Sequence, residues 1–277
     1  MADITAAMVQ ELREATNVGM MECKRALVEA GGDKEQAIRL LRERGMAIAA
    51  KKSTRAANQG LIAAAGDSKA GALIEINCET DFVAKNESFQ KFVKSMASKA
   101  LSMADGTITE VTKTEMAAKV AEIGENLIAK RNISYTLQGP GMVATYIHLN
   151  GKLGVMLELG FGKEASAASP VTQELAKDLT LHVAACSPKY LVRQEVPADL
   201  IAAEREIYAK QVIGKPANIV DKIVDGKMGK FYAQVCLIEQ GFVKDPDISV
   251  TKLLEAKGKE VGDTLTIRRF VRWQMGE

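Results

Sequence analysis

The sequence contains no Cys-x-x-Cys pair: its four cysteines, Cys23, Cys78, Cys186 and Cys236, are scattered along 277 residues. That spacing fits neither a zinc ribbon nor a disulfide scaffold, and free thiols are the default. Histidine is almost as scarce, with just His148 and His182. His182 and Cys186 fall at i, i+4 in a helical pattern, but two ligands do not make a zinc site, and packing accounts for the pair. No run of about 18 apolar residues occurs, and the opening MADITAAMVQELREAT has no basic segment leading into an apolar one. A soluble, cytoplasmic protein without membrane contact is expected. The phosphate cradle G-x-x-x-x-G-K-[ST] is missing, and Gly-rich spots such as GKLG and DGKMGK lack the strand-loop-helix setting that aims backbone amides at phosphates. Neither sign of charge dominates: 37 Lys+Arg against 35 Asp+Glu leave +2, too little to drive nucleic-acid binding by counterion release. No cofactor or metal is expected, and if nucleotides enter the function, another protein holds them.

Apolar residues are plentiful, at 47%, and the length suits two or three domains. Residues 1–55 read as a three-helix module with a linker. Ile4, Met8 and Leu12 form one stripe, the chain breaks at Asn17-Val18-Gly19, and Met20, Cys23, Leu27 and Val28 restart the stripe. Gly31-Gly32 ends the second helix, Asp33 caps the third, and Ala37, Ile38, Leu40 and Leu41 face inward until Gly45 stops it. The polar, basic run AAKKSTRAANQG, residues 49–60, reads as a tether, with a boundary near Ala56.

Residues 56–140 change period. A β-hairpin is expected over residues 61–65 and 72–77, two amphipathic helices over 87–103 and 113–130, and a strand over 133–138. Residues 141–277 repeat the order. A second hairpin, 142–149 and 153–159, turns at Asn150-Gly151; a helix covers 170–185 and a last strand 264–273. The shared order suggests an internal duplication, its second copy carrying an inserted helical hairpin over about 188–229 with its tip at Gly214-Lys215-Pro216. The fold class is α+β, built on antiparallel sheets.

One stretch needs explaining. In CETDFVAKN, residues 78–86, a phenylalanine follows an acidic residue where a strand stops and a helix starts. Thr80 or Asp81 caps a helix, and Phe82 either packs beneath that cap as a staple or serves another protein. Cys78 reads as strand packing; a thiol enzyme using Cys78 with a distant histidine is the rival from another class. A helix-binding adaptor built on the N-terminal bundle is a further alternative.

Several ordered motifs resemble the bacterial elongation factor Ts family, the guanine-nucleotide exchange factors of elongation factor Tu. They are LREATNVGMMECKRALVEAGGDKEQAI, EINCETDFVAKNESF, TYIHLNGKLGVMLEL, LHVAACSPKYL and GKPANIVDKIVDGKMGKFY. The resemblance implies an N-terminal module like ubiquitin-associated domains, a core of two related subdomains, and a protruding antiparallel coiled coil. It implies no covalent catalysis and no enzyme activity. The partner is Tu, GDP-bound and nucleotide-free, with no direct nucleic-acid contact; a homodimer or a 2:2 complex with Tu stays open. The implied site is Thr80, Asp81, Phe82 and Val83, with Asp81 and Phe82 intruding between helices of Tu's nucleotide domain to dislodge magnesium. Val18, Gly19, Met20, Met21 and His148 carry over as further contacts. Longer members continue past a Gly-Glu like Gly276-Glu277 into a short C-terminal helical module, while nothing upstream is expected to be missing.

Overall fold

Three helices come first, and their buried faces follow the apolar spacing. The computed structural model describes residues 4–16, 18–212 and 216–277; Asn17, Gly214 and Lys215, expected at a break and at a hairpin tip, lie outside them. Helix α1 (Ala6–Thr16) contributes Val9 and Leu12, α2 (Met20–Glu29) Cys23, Ala26 and Leu27, and α3 (Lys34–Lys52) Ala37 and Leu41 to one small core. Gly31 and Gly32 take φ of +60° and +90° between α2 and α3, where Asp33 caps α3 by accepting the Gln36 N–H at 2.9 Å. Met20 and Val28 do not join this core: they are 49% and 57% exposed, because Cys23, Ala26 and Leu27 already fill the inward face of α2.

Gly45 does not stop α3, which runs on to Lys52 and packs along α7 (Lys113–Ile123). Glycine costs a helix roughly 1 kcal/mol against alanine, and burial of this turn beside Ala117 and Ala121 offsets it. The stretch expected as a tether is accordingly part helix and part strand. Its backbone is held as well: Asn126 Nδ2 donates to Arg55 O at 2.7 Å and Asn77 Nδ2 to Ala57 O at 3.1 Å.

Strands β1 (Gln59–Gly66), β2 (Ala70–Cys78) and β3 (Leu127–Thr136) form an antiparallel sheet in that order. Between β2 and β3 run α4 (Asp81–Lys85), α5 (Glu87–Ala100), α6 (Ile108–Val111) and α7. Ile74, Ile76, Phe89, Val93 and Met96 lock α5 onto the sheet. The second helix of this stretch ends well before Lys130, because Gly124 at φ +83° closes α7 and the chain turns extended at Leu127.

The second sheet is β4 (Gly141–His148), β5 (Leu153–Phe161) and β8 (Leu265–Gln274), again antiparallel in that order. Helix α8 (Pro170–Cys186) covers it, followed by α9 (Ala198–Lys210), α10 (Ala217–Val235), the small pair β6 (Gly241–Phe242) and β7 (Asp245–Ser249), and α11 (Val250–Val261).

The likeness of the two sheets in element order extends to single residues. In the first sheet Glu75 lies opposite Ile62 and Arg131; in the second Glu158 lies opposite Val143 and Arg269. The register shifts immediately after each glutamate. Both carboxylates are buried and ion-paired, Glu75 with Arg131 at 2.6 Å and Lys130 at 3.4 Å, Glu158 with Arg268 at 2.8 Å and Arg269 at 2.7 Å. Each arginine then crosses to the other half: Arg131 stacks over Trp273 at 4.6 Å and Arg269 over Tyr135 at 4.0 Å. Ile62, Leu73 and Tyr135 meet their counterparts Val143, Met156 and Trp273 in one apolar layer between the sheets. Close approach requires Gly71 and Gly154, where an added Cβ would stand 2.8 Å from Val143 Cγ1 and 2.5 Å from Ile62 Cγ2.

The inserted hairpin reaches past residue 229, since α10 continues to Val235. Val224, Met228 and Phe231 bury one face with Val196 and Cys236, and that packing carries the helix through Gly226 and Gly229. A Cβ at either glycine would meet nothing within 4 Å. Gly226→Ala and Gly229→Ala are each expected to stabilise the protein by about 0.5–1 kcal/mol, raising the melting temperature by roughly 2 °C, as a thermal melt would show. At the hairpin base, Leu237 N donates to Tyr190 O at 2.8 Å, and Arg193 Nη2 reaches Glu239 Oε2 at 2.6 Å.

Candidate functional site

The chain leaves β2 through a turn clamped from 45 residues away. The Glu125 carboxylate accepts the N–H groups of Glu79 and Thr80, both at 3.0 Å, and the Thr80 hydroxyl at 2.6 Å. Glu79 answers by accepting the Asn126 N–H at 2.6 Å. Thr80 has extended backbone angles and caps α4, its hydroxyl oxygen accepting the Val83 N–H at 3.3 Å. Asn86 then ends α4 and caps α5, its side chain accepting from Ser88 N at 2.8 Å. A five-residue helix with no stability of its own is thereby fixed at both ends.

This clamp decides where Phe82 points. Val83 is half-buried, Ala84 is buried, and both pack onto the α5 and β-sheet core, so Phe82 faces away and is 81% exposed. The staple reading is excluded. Phe89 and Val93 fill the core instead, with Phe92 partly buried beside them. Asp81 sits in the first turn of α4, where its carboxylate pairs with Lys85 at 2.7 Å, and the hydrogen bond from that ammonium holds its pKa below the usual range.

The other sequence-predicted positions divide. His148 is exposed and stacks on Tyr146 with ring centroids 5.6 Å apart, its Nδ1 lying 2.7 Å from the Tyr146 hydroxyl. It stands at the end of β4, and the turn just after it shares a groove of about 510 Å³ with Asp81 and Lys85. Val18, Gly19, Met20 and Met21 are elsewhere, on the N-terminal bundle, which meets the rest of the chain through α3 against α7. Val18 is half-buried on its own core, whereas Met20 and Met21 are 49% and 65% exposed. Gly19 has an ordinary φ of −58°, and a Cβ there would meet nothing within 4 Å. Neither backbone nor packing within the chain requires glycine at that place.

Sequence reasoning missed Glu125, Tyr146 and Leu149. Glu125 carries no local signal, because its role exists only after β3 folds back beside β2.

Cys78 is fully buried, hydrogen-bonds Thr80 O at 3.1 Å, and burial, reinforced by Glu125, pushes its thiol up to about 11, so it is protonated at neutral pH. The two histidines have other partners. His182 Nδ1 accepts the Val243 N–H at 3.1 Å, which puts its proton on Nε2, 3.0 Å from Gln240 Oε1. Cys186 lies 3.6 Å from the same Nδ1, so the i, i+4 pair is packing, and burial pushes the His182 pKa down. Among the described residues no group of three or more His, Cys, Asp or Glu is placed to hold a metal, and no helix is long and apolar enough to cross a membrane.

Residues 79–277 match the family model described as Elongation factor TS. An elongation factor Ts of Trichlorobacter lovleyi is 42% identical over 290 aligned residues, spanning 99% of this chain and 93% of the relative. That of Clostridium perfringens is 43% identical over 288, spanning 99% and 93%, and that of Nitratidesulfovibrio vulgaris 40% identical over 278, spanning 99% and 96%. With the ordered motifs running from the first helices to α10 and relatives this similar along nearly the whole length, the chain belongs to the elongation factor Ts family.

Proposed function

We propose that this chain binds elongation factor Tu in its GDP-bound and nucleotide-free forms and accelerates GDP release, without covalent catalysis and without touching nucleic acid. One observation carries the reading: a large aromatic ring, Phe82, is held 81% exposed on a turn that Glu125 and Thr80 make rigid. An exposed phenylalanine gains nothing in the free protein. Inserted into a groove of a partner, the same ring is worth roughly 1.5 to 3 kcal/mol.

Tu holds GDP through a P-loop, a magnesium ion and a base pocket. Raising the release rate a thousandfold requires lowering the barrier by about 4 kcal/mol. The chain does so by favouring the nucleotide-free conformation over the loaded one. Phe82 wedges between helices of the nucleotide domain, Asp81 enters beside it with its charge balanced by Lys85, and the groups holding magnesium water shift. Thr80 and Val83 set the wedge's angle, one as cap and one as packing underneath. Once magnesium is loosened, the phosphates lose their main countercharge.

Further contacts come from the N-terminal module, residues 1–55, read as like ubiquitin-associated domains. Met20 and Met21 supply adaptable apolar surface there, and Gly19 leaves room for close approach. Residues 56–140 and 141–277 act as two subdomains, the first presenting the wedge and the second His148. The α9 and α10 hairpin serves as a protruding coiled coil. The setting is the cytoplasm, where Tu works. The test is to mix Tu loaded with fluorescent GDP with this chain at fixed magnesium and follow the signal. The release rate should climb with the chain's concentration towards a plateau far above the spontaneous rate, and a flat response would end the proposal.

A further inference from the structure

The turn after His148 closes the β4–β5 hairpin and leaves an apolar side chain in water. Leu149 has φ +48° and is 66% exposed, so an apolar side chain is both in the left-handed region and in water. Asn150 and Gly151 follow at φ +53° and +92°, and Lys152 N closes the turn on His148 O at 3.1 Å. Left-handed geometry suits the asparagine and the glycine, and at Leu149 the hairpin closure imposes it on a side chain that does not favour it.

Leu149 also rims the groove that runs from this turn to α4, across a floor of Ile62, Ala64 and Ile147. The groove's charge is one-sided. Lys85, Lys94 and Lys152 line it against one carboxylate, Asp81, which Lys85 neutralises. Lys152 is tied to Gln59 Oε1 and Gly60 O, both at 3.2 Å, while Lys94 has no ion-pair partner among the described residues. The groove is continuous with the proposed wedge, since Asp81 belongs to both.

We infer that Leu149 is a second apolar anchor for the same partner, and that the groove between Leu149 and α4 takes a partner segment carrying an apolar side chain flanked by carboxylates. This rests on the exchange reading. Two anchors, Leu149 on the groove's rim and Phe82 next to Asp81 of its lining, fix the partner's orientation, and burial in the complex takes the exposed Leu149 side chain out of water. The wedge then enters at a set angle.

The test uses Leu149→Asn, which fits the left-handed turn and removes an exposed apolar group, and Lys94→Glu, a reversal on an exposed helix face. Both variants should melt no lower than the parent. Affinity for nucleotide-free Tu, measured by titration, should fall about tenfold with Leu149→Asn. With Lys94→Glu it should fall by a factor that shrinks as salt is added. Phe82→Ala runs alongside in the GDP-release assay. Unchanged affinity in both variants while Phe82→Ala still slows release would overturn the second anchor and leave the wedge standing. Unchanged behaviour in all three would remove both.

Discussion

Phe82→Ala should fold as stably as its parent and slow stimulated GDP release from Tu by roughly ten- to a hundredfold, the rate equivalent of burying one aromatic ring in the partner. The two halves of that result have separate causes. Stability is unmoved because Phe82 is 81% exposed and belongs to no core cluster, so truncation leaves no cavity, and surface changes of this kind stay within about 0.5 kcal/mol. Function falls because the wedge's apolar payload is lost at the step where Tu is deformed. The turn itself survives the change, since Thr80, Glu125 and Asn86 fix α4 through backbone groups. A melting curve and a stopped-flow trace on the same preparation check both halves.

The largest stability effect is expected at Glu158. Its carboxylate is 1% exposed and binds Arg268, Arg269 and the Gln138 N–H at 2.8, 2.7 and 3.2 Å. Glu158→Ala leaves two guanidinium groups without their shared partner beside the layer between the sheets. Losing one side of a buried pair costs about 3–5 kcal/mol; here roughly 2–4 kcal/mol is expected, because the arginines keep some access to water. Glu75→Ala should behave similarly, as its counterpart in the other sheet, and urea unfolding of both variants measures the loss.

The loss at Glu158 should depend on pH in a defined direction. Burial pushes this carboxyl up, but the hydrogen bonds from Arg268, Gln138 N–H and Arg269 together outweigh it and hold the folded pKa below the ordinary glutamate range. A depressed folded pKa means stability that is fully present above the unfolded pKa and lost as pH falls through the folded one. The gap between parent and Glu158→Ala should therefore be full near pH 7 and narrow in strong acid.

How much of this could be read from the sequence varies with the range of the forces involved. Hairpins were legible because their turns carry local chemistry: Gly66 at φ +122° with Asp67 in one, Asn150-Gly151 in the other. The motif around Phe82 was legible as a resemblance, but its direction was not. Local rules allowed a staple, and only the long-range clamp from Glu125 turns the ring outward. The same limit explains the helix ends. Gly45 reads as a helix stop and Gly229 as the end of the inserted hairpin, yet packing against α7 or within the hairpin carries α3 and α10 through them. Residues 237–261, holding β6, β7 and α11, have no place in the element order read from the sequence, although Val250, Leu253 and Leu254 of α11 fall at helical spacing and pack with α8 and β8. The glutamates at 75 and 158 sit in strands where charge argues against burial, and arginines far along the chain make the burial tolerable.

Magnesium dependence reaches the proposed mechanism most directly. GDP release from Tu should be timed with the parent chain and with Phe82→Ala across a magnesium series ending in excess chelator. If the wedge acts by loosening the ion, the parent's advantage is large when magnesium is abundant and closes as it is stripped away, the two rates converging in chelator. A ratio that stays constant from saturating magnesium to none would contradict the account.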